Sequence, residues 1–388
     1  MIADPLKTQS AAKMTESPQH SVAPVSARHD FVLEVNNFSV DYGVGEDMVR
    51  AVNDVTLKLR RSQVLGIAGE SGSGKSTLVY AMTRLLRAPG VISSGDVKLN
   101  LTNEGDPEEV TPLSLVDASE RELRNIRWSH VSIVLQSALN ALNPVLRVSR
   151  EFNEVLKTHR KGMTRSQRHD RSVELLKMVG LNEDRLARFP HELSGGQRQR
   201  IMIALALALD PELVIMDEPT TALDVVTQRE IINELNDLRS RYGFAMIFIT
   251  HDLSLLVELA DEIVVMYAGA IVERAGASEL YQAPRHPYTL GLLNSFPPLH
   301  GERRELAGIP GSPPDLAELP EGCSFAPRCP FAMQRCRHEA PPLTNIGDSD
   351  RSVACWLHSG DPSVRVPVEL SREMNPSRTR VTALKERT

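Results

Sequence analysis

The nine residues "GESGSGKST" that begin at Gly69 constrain this chain more than any other feature. They fit G-x-x-x-x-G-K-[ST], a pattern whose glycines let successive backbone N–H groups turn inward on phosphate oxygens. The apolar run "VLGIAG" at 64–69 leads into the loop, and "STLVYAMTRLL" follows it with helical character. Strand, glycine turn and helix thus come in the order that a phosphate cradle requires, with the helix's positive end aimed at the anion. Gly69, Ser71, Gly72, Ser73 and Gly74 form the turn. Lys75 brings a charge toward the β- and γ-phosphates, Ser76 offers a hydroxyl to Mg²⁺, and Thr77 completes the ligand-facing stretch.

Around this loop the chain reads as α/β. "VSIVLQ" at 131–136, "ELVIMDEP" at 212–219, "AMIFITH" at 245–251 and "EIVVMYAG" at 262–269 are short apolar runs separated by longer amphipathic ones. Such runs predict a parallel sheet covered on both faces. "FVLEVNNFSV" and "VTLKLR" add two further strands. Residues 1–30 carry no periodicity and read as a disordered tail. Near Ala275 the pattern weakens and prolines accumulate, predicting a small loop-rich domain over 276–360 and a loose tail over 361–388.

The remaining composition excludes several classes. The 388 residues can bury a full core, and 41% hydrophobic with 24% charged residues is ordinary for a globular protein. A net charge of −6 gives no reason to expect nucleic acid as a partner. The longest apolar run, "IMIALALAL" at 201–209, falls far short of the roughly 20 residues of a membrane span. The first residues lack the apolar core of a secretory signal. A cytosolic chain is expected, with any membrane role exercised through a partner.

Two acids close an apolar strand. Ligands of open α/β sheets bind at the carboxyl edge, where Asp217 is suited to hold Mg²⁺ and Glu218 to polarise an attacking water as general base. Gln136 and His251 end two other buried strands and are candidates for contacts to Mg²⁺ or water and to the γ-phosphate. "LSGGQRQR" at 193–200 adds a second phosphate-friendly turn, Ser194-Gly195-Gly196, just before a helix.

Together these motifs resemble an ABC ATPase. "LSGGQ" looks like the ABC signature and includes Gln197. "TALD" at 221–224, ending in Asp224, looks like the D-loop. Gln136 matches the Q-loop, His251 the switch histidine, and Tyr42 the aromatic that stacks on adenine. The resemblance implies a P-loop cassette over 31–275 with a helical subdomain at about 137–200. It also implies a head-to-tail dimer in which Lys75 and Asp217 of one subunit bind the ATP that Ser194 of the other covers. The spacing from Gly69 to Ser194 leaves no room for a long coiled coil, and a single nucleotide unit argues against tandem translation factors.

Beyond 275, "YQAPRHPYTLGLL" and "CSFAPRCPFAMQRC" resemble the His-Pro-Tyr segment and cysteine-bearing tail of oligopeptide/dipeptide importer ATPases. A structural role is expected for His286, Pro287 and Tyr288. The resemblance implies an ATPase subunit at the cytoplasmic face of the membrane. Its partners would be a second ATPase subunit, making a heterodimer, two transmembrane permease subunits and an extracytoplasmic solute-binding protein. "ALNALNPVLRVSRE" lies where such importers meet the permease. The acidic insert "LTNEGDPEEVTPLS" and the stretch "QSALNALNP" depart from the family pattern. Oligosaccharide or nickel import and a soluble redox-gated ATPase remain alternatives.

The four cysteines of the chain, Cys323, Cys329, Cys336 and Cys355, all fall in the proline-rich end. Their spacing, C-x5-C-x6-C-x18-C, fits neither the C-x2-C zinc knuckle nor the ferredoxin runs, and disulfides are disfavoured in the cytosol. Spacing alone leaves iron–sulfur, zinc and free thiols open. The family resemblance implies a [4Fe–4S] cluster on these four residues, with zinc as the runner-up.

Overall fold

A computed structural model describes residues 30–371, except 104–105, 136–140, 222, 296–307 and 348–349. Gln136 and most of the expected N-terminal tail therefore lie outside the described residues. The elements run in chain order as β1 (Phe31–Tyr42), β2 (Val49–Arg60), β3 (Val64–Ala68), α1 (Lys75–Met82), β4 (Gly90–Asn103), β5 (Asp106–Ser114), α2 (Glu120–Ile126) and β6 (Val131–Val134). Then come α3 (Val148–His159), α4 (Arg165–Met178), α5 (Gly195–Ala206), β7 (Leu213–Asp217), α6 (Val225–Tyr242), β8 (Ala245–Ile249), α7 (Leu253–Leu259), β9 (Glu262–Tyr267) and β10 (Ala270–Gly276). The C-terminal part adds α8 (Ala277–Gln282), α9 (Pro287–Asn294), β11 (Thr344–Asn345) and β12 (Ser352–Val353).

Among the described residues eight strands form the main sheet, in the order β11-β12-β10-β9-β3-β8-β7-β6. From β9 to β6 neighbouring strands are parallel. Every residue of β3, β7, β8 and β9 is buried, as continuous apolar strands covered on two faces must be. The pleat divides them. Val64 and Ala68 of β3 face a core shared with α5, α6 and α7, whereas Leu65 and Ile67 face a second core shared with α1, β1, β2 and β4.

The strands "FVLEVNNFSV" and "VTLKLR" do not join this parallel sheet. They become β1 and β2 of a separate antiparallel sheet, ordered β2-β1-β4-β5. The reason is visible in β2, where Val55, Leu57 and Leu59 are fully buried while Thr56 and Arg60 are exposed and Lys58 half-buried. Such alternation describes a sheet with one covered face. The described residues of the acidic stretch at 101–114 form the end of β4 and all of β5, paired from Lys98↔Ser114 to Asn103↔Asp106.

The C-terminal part is less separate than its prolines suggest. β12 pairs with β10 through Glu273↔Val353 and Arg274↔Ser352, and Tyr288, Leu292 and Phe325 enter the main core. Glu273, fully buried, binds Arg351 Nη2 at 2.7 Å and accepts from the backbone N–H groups of Arg285 and His286 at 2.8 Å. Residues 361–371, expected to be part of a loose tail, belong to the fold. Leu370 is buried, and its carbonyl accepts from Arg285 Nη1 at 2.7 Å.

Candidate active site

The loop between β3 and α1 is shaped by contacts that only glycine permits. At Gly69 (φ 150°) a Cβ would stand 2.4 Å from the Met266 carbonyl oxygen, and at Gly74 (φ 98°) 2.5 Å from that of Ala51. Lys75 opens α1 and is 5% exposed. Its Nζ donates to the carbonyls of Gly69 and Glu70, each at 2.8 Å, and to Ser73 Oγ at 3.3 Å. Burial lowers its pKa, against the pull of Glu218, Asp217 and Glu70. The ammonium thus lies folded along the loop that a phosphate would occupy. Ser71 and Gly72 are exposed at the loop's rim, and Ser73 is buried within it.

Ser76 Oγ donates to Asp217 Oδ1 at 3.1 Å, which brings the helix start and the end of β7 together. Asp217 is fully buried, and burial raises its pKa. Its Oδ2 is buried without a hydrogen-bond partner. The Tyr80 hydroxyl, like that of Ser76, stands near enough to lower the Asp217 pKa, and a buried carboxylate oxygen between two hydroxyls suits a hard divalent cation held directly or through water.

Glu218 follows in the left-handed region at φ 46°, unusual for a residue with a side chain. Its N–H donates to the Ile249 carbonyl at 2.9 Å, and its Oε2 accepts from Thr221 Oγ1 at 3.0 Å. His251 Nδ1 lies 3.5 Å from Glu218 Oε1. The turn re-aims the Glu218 carboxylate toward the exposed imidazole at the end of β8, where a proton could be accepted from water.

The second turn opens a different helix. α1 packs on β1, β2 and β4, whereas α5 packs on α3, α4 and β6. Exposed Ser194 caps α5. Its Oγ accepts from Gln197 N at 3.3 Å, and Gln197 Oε1 accepts from Ser194 N at 3.2 Å. Gly195 lies against Leu223 and Gly196 against α6, where a Cβ on Gly196 would come within 2.7 Å of Thr227 Cγ2. Asp224 caps α6 through Thr227 N at 2.9 Å. Tyr42, half-buried, ends β1 opposite Val49 and Gly90.

The metal centre expected on the cysteines is not formed as such. Among the described residues no three His, Cys, Asp or Glu side chains are gathered to hold a metal ion. A single zinc ion would need thiolates about 2.3 Å from one point; neither that arrangement nor a formed iron–sulfur site is present among the described residues. Cys323, Cys329, Cys336 and Cys355 do line one cavity, with Phe325, Phe331, Trp356 and Leu357 among its walls. Burial raises the Cys323 thiol, lifts Cys329 to about 11 and lifts Cys355 to about 12. These three thiols are uncharged at neutral pH unless a cation displaces their protons.

Two residues quoted in the sequence without a role at the site reach the loop. Tyr288 Oη accepts from Glu70 N at 2.7 Å, and Arg328 Nη1 and Nη2 bind the Glu70 carboxylate at 2.6 and 3.0 Å. His286 plays the structural part expected of it, capping α9 by accepting from Tyr288 N at 3.0 Å.

Comparison with known proteins agrees with this geometry. Residues 52–221 match the ABC transporter family and residues 272–336 the oligopeptide/dipeptide transporter C-terminal region. The oligopeptide transport ATP-binding protein OppD of Salmonella typhimurium is 42% identical over 88% of this chain and 98% of its own length. The dipeptide transport ATP-binding protein DppD of Escherichia coli is 40% identical over 83% and 95%. Among solved structures, the ATP-binding cassette MJ0796, a dimer in a post-hydrolysis state bound to ADP and Pi, superposes with a TM-score of 0.54 at 28% identity. It covers 63% of this chain and 98% of that one. By its phosphate loop, its two-sheet fold and these similarities, the chain belongs to the ABC transporter ATP-binding subunits of the oligopeptide/dipeptide family.

Proposed function

We propose that this chain hydrolyses ATP as a cassette of an importer for dipeptides and oligopeptides. The observation that carries the ATPase assignment is the Ser76–Asp217 pair with its partnerless Oδ2 at the head of a glycine-cradled helix. The peptide assignment rests on relatives whose names specify oligopeptide or dipeptide transport. Gly69, Ser71, Gly72, Ser73, Gly74, Lys75, Ser76 and Thr77 hold the triphosphate, and Tyr42 stacks on adenine. Ser76 and Asp217, with Gln136, hold Mg²⁺, which supplies charge neutralisation at the phosphates when bound. Glu218 takes the proton of the attacking water, and His251 steadies the γ-phosphate. Ser194, Gly195, Gly196, Gln197 and Asp224 serve the nucleotide of a second ATPase subunit. That the signature turn caps α5, which packs on α3, α4 and β6 and not on the elements around α1, supports such sharing.

Among the described residues no helix is long and apolar enough to cross a membrane. As a cassette of such an importer, the chain acts at the cytoplasmic face, bound to two permease subunits and supplied by an extracytoplasmic binding protein. The four cysteines hold a [4Fe–4S] cluster. Their thiolates would be the ligands to iron, and the bonds would tie together a segment with little core of its own. Their common apolar cavity supports this assignment.

The test is reconstitution in liposomes with the cognate permease subunits and binding protein. ATP hydrolysis and solute uptake should rise with added dipeptides or oligopeptides and not with oligosaccharides or nickel. Stimulation by a sugar or by nickel alone would reassign the solute. Hydrolysis without any membrane partner, equal to that of the full assembly, would favour a soluble ATPase.

A further inference from the structure

The phosphate loop is gripped from outside the cassette core. Glu70, the first residue after Gly69, is held at both ends by the C-terminal part of the chain. Its N–H goes to Tyr288 Oη, and its carboxylate goes to the guanidinium fork of Arg328, 258 residues away in sequence. Arg328 is itself fixed. Its side chain is 6% exposed, Nε donates to the Pro310 carbonyl at 2.8 Å, Nη2 to that of Gly311 at 3.3 Å, and Nη1 to Tyr267 Oη at 3.3 Å. Tyr267 and Tyr288 meet edge-on at 4.6 Å, and Phe325 packs against both.

The other side of Glu70 faces the phosphate loop. Its carbonyl accepts from Lys75 Nζ at 2.8 Å and from Ser73 N at 3.2 Å. One residue thus links the C-terminal grip to the lysine and to a loop N–H. A bidentate Arg–carboxylate pair on a rigid fork fixes angle as well as distance. Positioning to a fraction of an ångström is what a phosphate cradle needs.

We propose that Arg328 and Tyr288 are positioning residues for ATP: through Glu70 they hold the phosphate loop and Lys75 in the conformation that binds the triphosphate. The C-terminal segment is then a working part of the nucleotide site. Arg328 directly precedes Cys329, so the wall of the cysteine cavity and the phosphate loop share one rigid turn, Ala326–Arg328. The assignment rests on the ATP-site reading given above.

The test uses the full chain and its transporter assembly, with Arg328→Met, Arg328→Lys, Tyr288→Phe, Glu70→Gln and the Glu70→Gln/Arg328→Met double variant. MgATP binding to the full chain is titrated by displacement of a fluorescent ATP analogue, and KM and kcat for ATP are measured on the assembly. Arg328→Met should weaken binding and raise KM roughly 5- to 50-fold, with kcat at saturation within about twofold. Arg328→Lys should recover part of the loss, because one donor replaces a fork, and Tyr288→Phe should show a smaller rise in KM. In the double variant the Arg328 effect should largely vanish, because its lever is gone.

Unchanged KM in folded Arg328→Met, or an Arg328 effect undiminished in the Glu70→Gln background, overturns the proposal. If Arg328→Met does not fold, Glu70→Gln and Tyr288→Phe decide it on the same scale. A wild-type chain that binds no MgATP would instead sink the ATP-site reading itself, whereas normal wild-type binding with unaltered variants sinks only the positioning role.

Discussion

Ser76 Oγ and Asp217 Oδ1 stand 3.1 Å apart although 141 residues separate them in sequence. The contact joins the first turn of α1 to the carboxyl end of β7, and it leaves Asp217 Oδ2 buried without a partner. A charge in such a place destabilises the chain until a cation meets it. Asp217→Asn should therefore leave the thermal midpoint equal or higher in the absence of nucleotide. It should abolish the additional stabilisation that Mg²⁺ gives over ATP alone and cut hydrolysis by about 100-fold or more. Thermal unfolding with ATP, with and without Mg²⁺, checks this. A variant that keeps full Mg²⁺-dependent stabilisation would remove Asp217 from the metal site.

Glu218 combines a backbone that favours glycine with a carboxylate beside His251. Two substitutions separate these properties. Glu218→Gln keeps the shape and removes the base, so ATP should still bind while turnover falls about 10²- to 10⁴-fold. The ATP-bound form should persist as a closed dimer on size exclusion. Glu218→Gly should be equally inactive yet lose none of its stability, because the positive φ then carries no Cβ strain of about 1 kcal/mol or more. Turnover equal to wild type in Glu218→Gln would dismiss the assigned role.

These two sites were legible in the sequence because each rests on local pattern. β3, β7 and β8 are five-residue strands, apolar but for the Asp217 that closes β7, and their carboxyl ends fall at one sheet edge by topology alone. The antiparallel sheet was less legible. Its signal was the alternation at Val55, Leu57 and Leu59, which distinguishes a one-sided strand from a buried one. The grip of Arg328 and Tyr288 on Glu70 could not be read at all. Nothing local to Glu70 indicates a partner 258 residues away. β11 and β12, at two residues each, carry too little pattern to register.

Glu212, just before β7, ties the two sheets together. Its carboxylate binds Arg61 Nη1 at 2.5 Å and His130 Nδ1 at 2.9 Å, and accepts from the Thr102 backbone N–H of β4 at 3.3 Å. Burial alone would raise its pKa, but the hydrogen bonds from His130, Arg61 and Thr102 outweigh it and leave the pKa below 4.5. A carboxylate with a depressed folded pKa contributes stability that is present above the unfolded value and lost as pH falls through the folded one. Glu212→Gln should therefore lower unfolding free energy by about 1–3 kcal/mol at pH 7. The gap should narrow below about pH 4.5, where the wild-type carboxylate gains a proton. Urea titrations of both proteins at pH 7 and pH 4 test the sign. A gap that widens in acid would refute the assignment.

The cysteine cavity gives the last prediction. Three of its four thiols are pushed up by burial, so they are neutral and poorly solvated in the absence of a cation. Binding iron would release their protons and convert weak packing into covalent-strength links across a segment that has little core of its own. The full chain, purified without oxygen, should contain iron and acid-labile sulfide in equal amounts, with four of each per chain for a cubane. Cys355→Ser should lower both and reduce the thermal midpoint, because Cys355 anchors the cavity from beyond β12. Exposure to oxygen should bleach the wild-type protein and bring its midpoint toward that of the variant. A colourless anaerobic protein with one zinc per chain would reverse the assignment, and one with no metal and four titratable thiols would make the cavity a purely structural feature.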